Sequence, residues 1–248
     1  MGIYRMLAAA VVLSIFLVGC SSTWPQARLA NFLGPISSST EIAKQGKVSA
    51  GLVVINDTSA PRSAPQLSEE SLKAITQHVQ ARLSKEGFLN LVTLDVPNPT
   101  ALPGDKASFL RHAQENQMEF LVLAVVSSSE IEVPDRLPLQ GALVGGIGRG
   151  LLNGYRAENY ALAELALLDV NSGEGLMFAD GQSWASLERL AVPLKSNVYP
   201  VVRRNLEVPP IYPTSEEVAH DVMRAVASSE AIDQAVMHFR ESWKQTKS

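Results

Sequence analysis

The sequence holds a single cysteine, Cys20, among its 248 residues. A disulfide within the chain is therefore excluded, and so is a metal site built on several thiolates. Stability has to come from burial. Basic clusters are also scarce. Arg203-Arg204 is the one basic pair, Glu207 follows closely, and the net charge is −4. That balance argues against nucleic acid as a partner. No apolar run is long enough to cross a bilayer as a helix, the nearest approach being Leu7 to Val18.

Catalytic signatures are missing as well. Ser127-Ser128-Ser129-Glu130 offers hydroxyls without a Gly-x-Ser-x-Gly elbow around them. The run Gly145-Gly146-Ile147-Gly148-Arg149-Gly150 spells Gly-x-Gly-x-Gly from Gly146. Leu151 stands where a dinucleotide fingerprint needs its last glycine, and the Lys-Ser/Thr of a phosphate loop is absent. The four histidines, His78, His112, His220 and His238, all fall on predicted helices. Glu216 and His220 share a helix face, but a metal would need a further ligand from elsewhere. The acid pairs Glu69-Glu70 and Glu216-Glu217 sit where helix dipoles favour negative charge. No catalytic residue, metal ligand or cofactor is assigned.

What is present begins at the amino terminus. Arg5 precedes the apolar stretch Leu7–Val18, and Leu17-Val18-Gly19-Cys20 has the form of a lipobox. Cleavage is expected between Gly19 and Cys20, with Cys20 lipidated. Removing residues 1–19 takes Arg5 with it and leaves a net charge of about −5. Each acyl methylene buried contributes about 0.8 kcal/mol to anchoring. Ser21, where an Asp would signal retention, implies the periplasmic face of the outer membrane, with the inner membrane as the alternative. Residues 20–46 mix Ser, Thr, Gly and Pro with Trp24, Leu29, Phe32, Leu33 and Ile36. The polar part suits a tether; the apolar part suits docking on the domain or on the membrane.

Residues 47–248 are expected to form one α/β (α+β) domain, a mixed sheet of about five strands in the order β-α-β-α-β-β-β-α with helices packed on it. Lys47–Asn56 predicts a buried strand. Ser68 predicts a helix N-cap, Leu67 and Leu72 its hydrophobic staple, Leu72, Ile75, Val79 and Leu83 its buried stripe, and Gly87 its end. Phe88–Val96 predicts a strand and Asp105–Asn116 a short helix. Met118–Val133 predicts a long strand, central over Phe120–Val126 and alternating beyond. Strands at Glu158–Val170 and Gly175–Ser186 flank the turn Asp169–Glu174. Trp184 is expected to be a core or sheet-face aromatic. Residues 134–157 and 188–213 are expected to be long loops, the second because of Pro193, Pro200, Pro209, Pro210 and Pro213. A helix with a capping box at Thr214 and Glu217 closes the chain, with a bend or break at Ser228-Ser229.

The lipobox, the strand at Val48–Asn56, the capped helix, the strand Phe120–Val126 and the turn Asp169-Val170-Asn171-Ser172-Gly173 together resemble a domain of several envelope lipoproteins. These include the curli secretion channel, the lipoprotein activator of peptidoglycan synthases and the amino-terminal domain of the Tol translocation protein. Over Glu119–Val126, the Gly-rich segment, the hairpin and the final helix, the chain resembles the rhombotarget lipoproteins. That family has no established activity, so the resemblance implies fold and anchoring. A pore is not expected: neither 134–157 nor 188–213 carries two alternating runs of about nine to eleven residues.

The expected function is that of a lipid-anchored, non-enzymatic interaction or accessory module of the envelope, held to the membrane by its lipid and bound to an envelope protein. The candidate contact loop is Gly145, Gly146, Gly148, Arg149 and Gly150, because long irregular segments usually carry function. The alternatives are an envelope hydrolase or transferase, and an oligomeric component resembling a secretion channel.

Overall fold

The computed structural model describes residues 23–36, 46–95, 106–138, 151–192, 197–206 and 209–247. Gly19 and Cys20 lie outside the described residues, as do Gly145, Gly146, Gly148, Arg149 and Gly150. In chain order the elements are α1 (Leu29–Leu33), β1 (Val48–Asp57), α2 (Glu69–Lys85), β2 (Leu89–Thr93), α3 (Ala107–Glu115), β3 (Phe120–Pro138), β4 (Leu151–Asp169), β5 (Gly175–Leu190), β6 (Val201–Arg204) and α4 (Glu216–Lys247).

The strands form one six-stranded mixed sheet in the order β2-β1-β3-β4-β5-β6. β1 pairs parallel with β2 and with β3, and the remaining pairs are antiparallel. The α/β expectation holds, with a strand more than expected. β6 lies within 188–213, where the prolines predicted only loop. It is short enough to fit between them, and it pairs with Ala185–Glu188 on one side and Ile211 on the other. The stretch 134–157 is likewise less irregular than expected. β3 continues through Pro138 and β4 starts at Leu151, because the antiparallel register runs unbroken from Phe120↔Asp169 to Pro138↔Leu151. Pro134 and Pro138 sit on the flank of β3 that β1 has already left at Asp57↔Ser127, where a missing N–H interrupts no ladder.

Alternation along the strands sorts the core into two clusters. Val48, Ala50, Leu52 and Val54 of β1, Phe120, Val122, Ala124 and Val126 of β3, and Ala163, Leu165 and Leu167 of β4 pack against α2 and α4. Val53 and Ile55, Leu121, Leu123 and Val125, and Ala166 and Leu168 pack on the other side against α1 and α3. Phe120–Val126 is thus buried on both faces, as a central strand should be.

The helices follow their local chemistry. Ser68 accepts a hydrogen bond from the Ser71 N–H at 3.1 Å and caps α2. Ile75, Val79 and Leu83 are buried beneath it, with Leu67 buried and Leu72 packed alongside. α4 runs unbroken for 32 residues. Ser228 is buried, and the Ser229 hydroxyl donates to the Ala225 carbonyl at 2.8 Å, so the pair neither splits the helix nor ends it. The inner side of α4 carries Ala219, Ala227, Ala231 and Ala235, all fully buried. These small residues let α4 lie almost on the sheet backbone. A Cβ on Gly181 of β5 would stand 2.3 Å from the Ala231 carbonyl oxygen and 2.3 Å from the Ala235 nitrogen. Near its carboxyl end α4 thickens its contact again, with Trp243 stacked on Phe88 at 4.6 Å between ring centres. Among the described residues, no helix is long and apolar enough to cross a membrane.

Candidate functional site

Two groupings of polar residues join separate elements of this fold, one on each side of the sheet. On the α4 side, Glu130 of β3 points at the helix. Its carboxylate accepts from His220 Nδ1 at 2.6 Å and from Arg224 Nη1 at 3.0 Å. Burial works to raise the Glu130 pKa. The His220 hydrogen bond and the Arg224 charge and hydrogen bond outweigh it and hold the carboxyl below its ordinary value. The other ring nitrogen of His220 stands 3.5 Å from Glu132.

One turn away, Asp221 accepts from the Ser68 N–H at 2.9 Å and from the Ser68 and Ser71 hydroxyls at 2.6 Å each. Asp233 accepts from His78 at 2.9 Å and pairs with Arg82 at 2.7 Å. Burial opposes ionisation at both aspartates, and these donors overcome it, so both titrate below their ordinary range. Three acids on one helix–sheet–helix junction thus join β3, α2 and α4.

This arrangement bears on the hydrolase reading. His220 was paired with Glu216 by helical spacing, but its partners are carboxylates on β3. The serine hydroxyls of the junction, Ser68 and Ser71, donate to Asp221. The other histidines are spread out: His78 is on Asp233, His112 stands 3.9 Å from Glu115, and His238 meets the Asp180 carbonyl at 2.6 Å. The described residues contain no group of His, Cys, Asp and Glu suited to a metal ion.

The second place is on the opposite side, where α1 and α3 cover only the half of the sheet next to the Asp169–Glu174 turn. Here residues 23–33 lie on the strands. Glu164 of β4 is buried to 1% exposure in the middle of an apolar run. Its two carboxylate oxygens accept from the Arg28 and Leu29 backbone N–H groups, each at 3.0 Å. It therefore caps the start of α1 from a strand far away in sequence. Burial dominates its titration and raises the Glu164 pKa despite the backbone hydrogen bonds. Asp57, also 1% exposed, pairs with the Arg28 guanidinium at 2.8 Å. Leu29 and Leu33 fill the cluster below. Toward the amino terminus, Trp24 meets the Tyr160 ring edge-on at 5.0 Å, and the Ser129 hydroxyl donates to the Thr23 carbonyl. The stretch whose composition suited both linker and docking segment is, over 23–33, docked on the domain.

Beyond this segment no described helix packs on this face of the sheet. Tyr160 and Trp184 are direct cross-strand neighbours. Both are half-buried, so Trp184 is a sheet-face aromatic, as expected. Ile131 is 41% exposed and Val133 50%. A cleft of about 290 Å³ beside Trp184 is lined by Arg156, Glu158, Ser186, Glu188 and Arg203 among others. Buried Glu188 accepts from Arg203 Nε at 3.1 Å and Nη2 at 3.2 Å, and from Arg156 Nη2 at 3.3 Å. The charges of the cleft are therefore paired. The Tyr160 hydroxyl donates to Glu158 at 2.5 Å, which pushes its pKa up to about 12, with burial adding to the shift.

Glu164 and Asp57 carry the docking of the amino-terminal segment, and neither was singled out from the sequence. A signal existed for the first: an acid inside Ala161–Leu168, where every neighbour is apolar, demands a buried partner.

No protein-family model matches the chain, and no curated protein matches it. Solved structures with a similar course of the chain include the PelC dodecamer from Paraburkholderia phytofirmans. It is 12% identical, with a TM-score of 0.33, over 84% of this chain and 92% of that one. A neuraminyllactose-binding hemagglutinin homolog from Helicobacter pylori is 11% identical, with a TM-score of 0.39, over 86% of this chain and 96% of that one. The hypothetical protein CT253 from Chlamydia trachomatis is 12% identical, with a TM-score of 0.30, over 80% of this chain and 94% of that one. Likeness at this level establishes neither a family nor a function, and the rhombotarget resemblance gains nothing from it.

Proposed function

We propose that the protein is a lipid-anchored, non-enzymatic module of the bacterial envelope, acylated at Cys20 after cleavage behind Gly19 and held on the periplasmic face of the outer membrane. The observation that carries the reading is the pairing of a lipobox with a built seat for the residues that follow it. Buried Glu164 and Asp57 spend their charge on Arg28 and Leu29, a short way after Cys20. Burying a carboxylate is costly unless it is paired, so a chain that did so for an idle leader would lose stability for nothing. The non-enzymatic part is supported by His220 and Ser68, whose polar atoms serve carboxylates at a helix junction.

The partner is an envelope protein, met at the far end of the β3–β4 arm, where the segment with Gly145, Gly146, Gly148, Arg149 and Gly150 joins the two strands. The decisive experiment is Cys20→Ala in the full chain, followed by membrane fractionation and mass spectrometry of the amino-terminal peptide. The variant is expected to fold, to lose the acyl mass and to leave the membrane fraction. An unacylated wild-type Cys20 would overturn the reading. Deleting residues 141–149 is expected to abolish crosslinked capture of the partner without changing the circular dichroism spectrum; unchanged capture would remove the loop from the proposal.

A further inference from the structure

We propose that the open face of the sheet, the side that carries Trp24, Tyr160, Trp184, Ile131 and Val133, is the surface of the domain that rests on the lipid leaflet. The inference rests on the acylation of Cys20. Its starting point is the length of chain left free. Thr23 is fixed on β3 by the Ser129 hydroxyl, and only Ser21 and Ser22 stand between Thr23 and Cys20. Fully extended, that stretch spans about 10 Å. The outer surface of α4 lies on the opposite side, beyond the sheet and the full width of a helix, roughly 15 Å away or more. A chain this short cannot reach round to it, so the acyl chains enter the membrane on the open side.

The chemistry of that side agrees independently. Ile131 and Val133 project from β3 on the same face as Ser129, at 41% and 50% exposure. Trp24, Tyr160 and Trp184 stand in a row at the level of Ser129, Trp24 edge-on to Tyr160 and Tyr160 opposite Trp184, while Ile131 and Val133 lie opposite Glu158 and Arg156. Tryptophan and tyrosine favour the boundary between headgroups and acyl chains, where one end of the ring is apolar and the other wet. The charged groups on this side are partnered: Glu158, opposite Ile131, accepts from the Tyr160 hydroxyl at 2.5 Å. Arg156 and Arg203 are ion-paired to Glu188, Arg156 also to Asp135 at 3.2 Å, and the arginine stems can lie along an apolar surface with their heads in water. The far side is different: Glu69, Glu70, Lys73 and Lys85 of α2 are exposed there.

The test uses the cysteine count. With Cys20 acylated, a cysteine introduced elsewhere is the only free thiol and takes a fluorophore at one site. Val133→Cys and Ile131→Cys on the open face, and Met237→Cys on the exposed side of α4, are labelled in the lipidated full chain and bound to vesicles of brominated phosphatidylcholine. All three positions are exposed, so folding is retained, and circular dichroism checks it. The labels at positions 131 and 133 are expected to be quenched several-fold more than the label at 237. Equal quenching, or stronger quenching at 237, overturns the inference and assigns the open face to a protein partner or a second copy. Mass spectrometry of the same samples separates the two readings. Acylated protein with equal quenching leaves the anchor standing and the orientation wrong. Should Cys20 prove unacylated, the Val133→Cys label is read in Cys20→Ala protein, where quenching at 133 above that at 237 leaves the orientation standing and the anchor wrong.

Discussion

Acids on the two faces of the sheet titrate in opposite directions, the half-buried Glu130, Asp221 and Asp233 downward and the fully buried Glu164 upward. On the α4 face, Glu130, Asp221 and Asp233 meet histidine, arginine and hydroxyl donors, and their pKa values fall. On the other face, Glu164 meets only backbone N–H groups in a dry setting, and its pKa rises. Depth of burial decides as much as the donors: serine hydroxyls and one N–H lower half-buried Asp221, whereas backbone N–H groups do not offset the near-complete burial of Glu164. The first arrangement bolts secondary structure together permanently. The second holds a segment that arrives from outside the sheet, and it holds it at a cost.

The change that would break the α4 face most severely is Gly181→Val. The added carbons collide with the Ala231 and Ala235 backbone, which cannot move aside without lifting the helix. A loss of about 3 kcal/mol or more is expected, read as a lower denaturant midpoint, while overpacking elsewhere typically costs about 1–3 kcal/mol. A near wild-type midpoint would mean that α4 does not sit on β5 as described. Next in size is Glu130→Gln, which weakens the bonds from His220 and Arg224; a charged hydrogen bond is worth about 1.5–3 kcal/mol.

The same acids predict the pH response. A depressed carboxylate contributes stability that is fully present above its unfolded value, 4.5 for Glu130 and 3.8 for the aspartates, and that is lost as pH falls through the lower folded value. Glu164, being raised, acts with the opposite sign: its contribution is largest in acid and declines as pH climbs above 4.5. Thermal unfolding between pH 3 and pH 7 is expected to show the first effect dominating, with stability rising through the acid range. The rise should be shallower in Glu130→Gln. An unchanged slope would show that Glu130 is not part of the acid response.

On the opposite face the expected effects are local. Glu164→Gln leaves one of the two backbone donors facing an amide nitrogen. It is expected to speed proteolysis within residues 23–33 and hydrogen exchange at the Leu29 amide, with little change at α4. Smallest of all is Trp24→Ala, which removes an aromatic pair worth about 1 kcal/mol. It is expected to change Tyr160 fluorescence and leave the unfolding midpoint almost unmoved. If Trp24→Ala matched Gly181→Val in severity, the contrast between a structural face and a docking face would collapse.

Legibility from sequence divides along the same line. Everything stabilised by neighbours in the chain was readable. The cap at Ser68, the stripe beneath α2, the central run Phe120–Val126 and the turn at Asp169 all announce themselves through spacing or turn chemistry. Asp169 indeed accepts from the Asn171 and Ser172 N–H groups at 2.8 Å each. What escaped is what depends on distant partners. Beyond Val133, β3 continues through Pro134 and Pro138, and only its register against β4 makes that stretch a strand. β6 is four residues between prolines. α1 has five residues, too few to be stable alone, and exists because Glu164 and the cluster around Leu29 and Leu33 receive it. His220 was assigned to Glu216 because helical spacing is visible in a sequence and a strand crossing beneath is not. Gly181 gave no signal either, since its importance lies in the backbone of another element.

The bond between Leu29 and Glu164 spans 135 positions of the chain. Residues 23–33 precede β4 in the chain, and α1 has no seat until β4 has joined the sheet. For an acylated chain, the reach of the anchor therefore changes with time. It is long while the domain is still folding, which leaves the leader accessible to the enzymes that cleave and acylate it. It becomes short once Glu164 closes on Arg28 and Leu29. If Cys20 is acylated as proposed, folding is also the event that draws the domain down to the membrane.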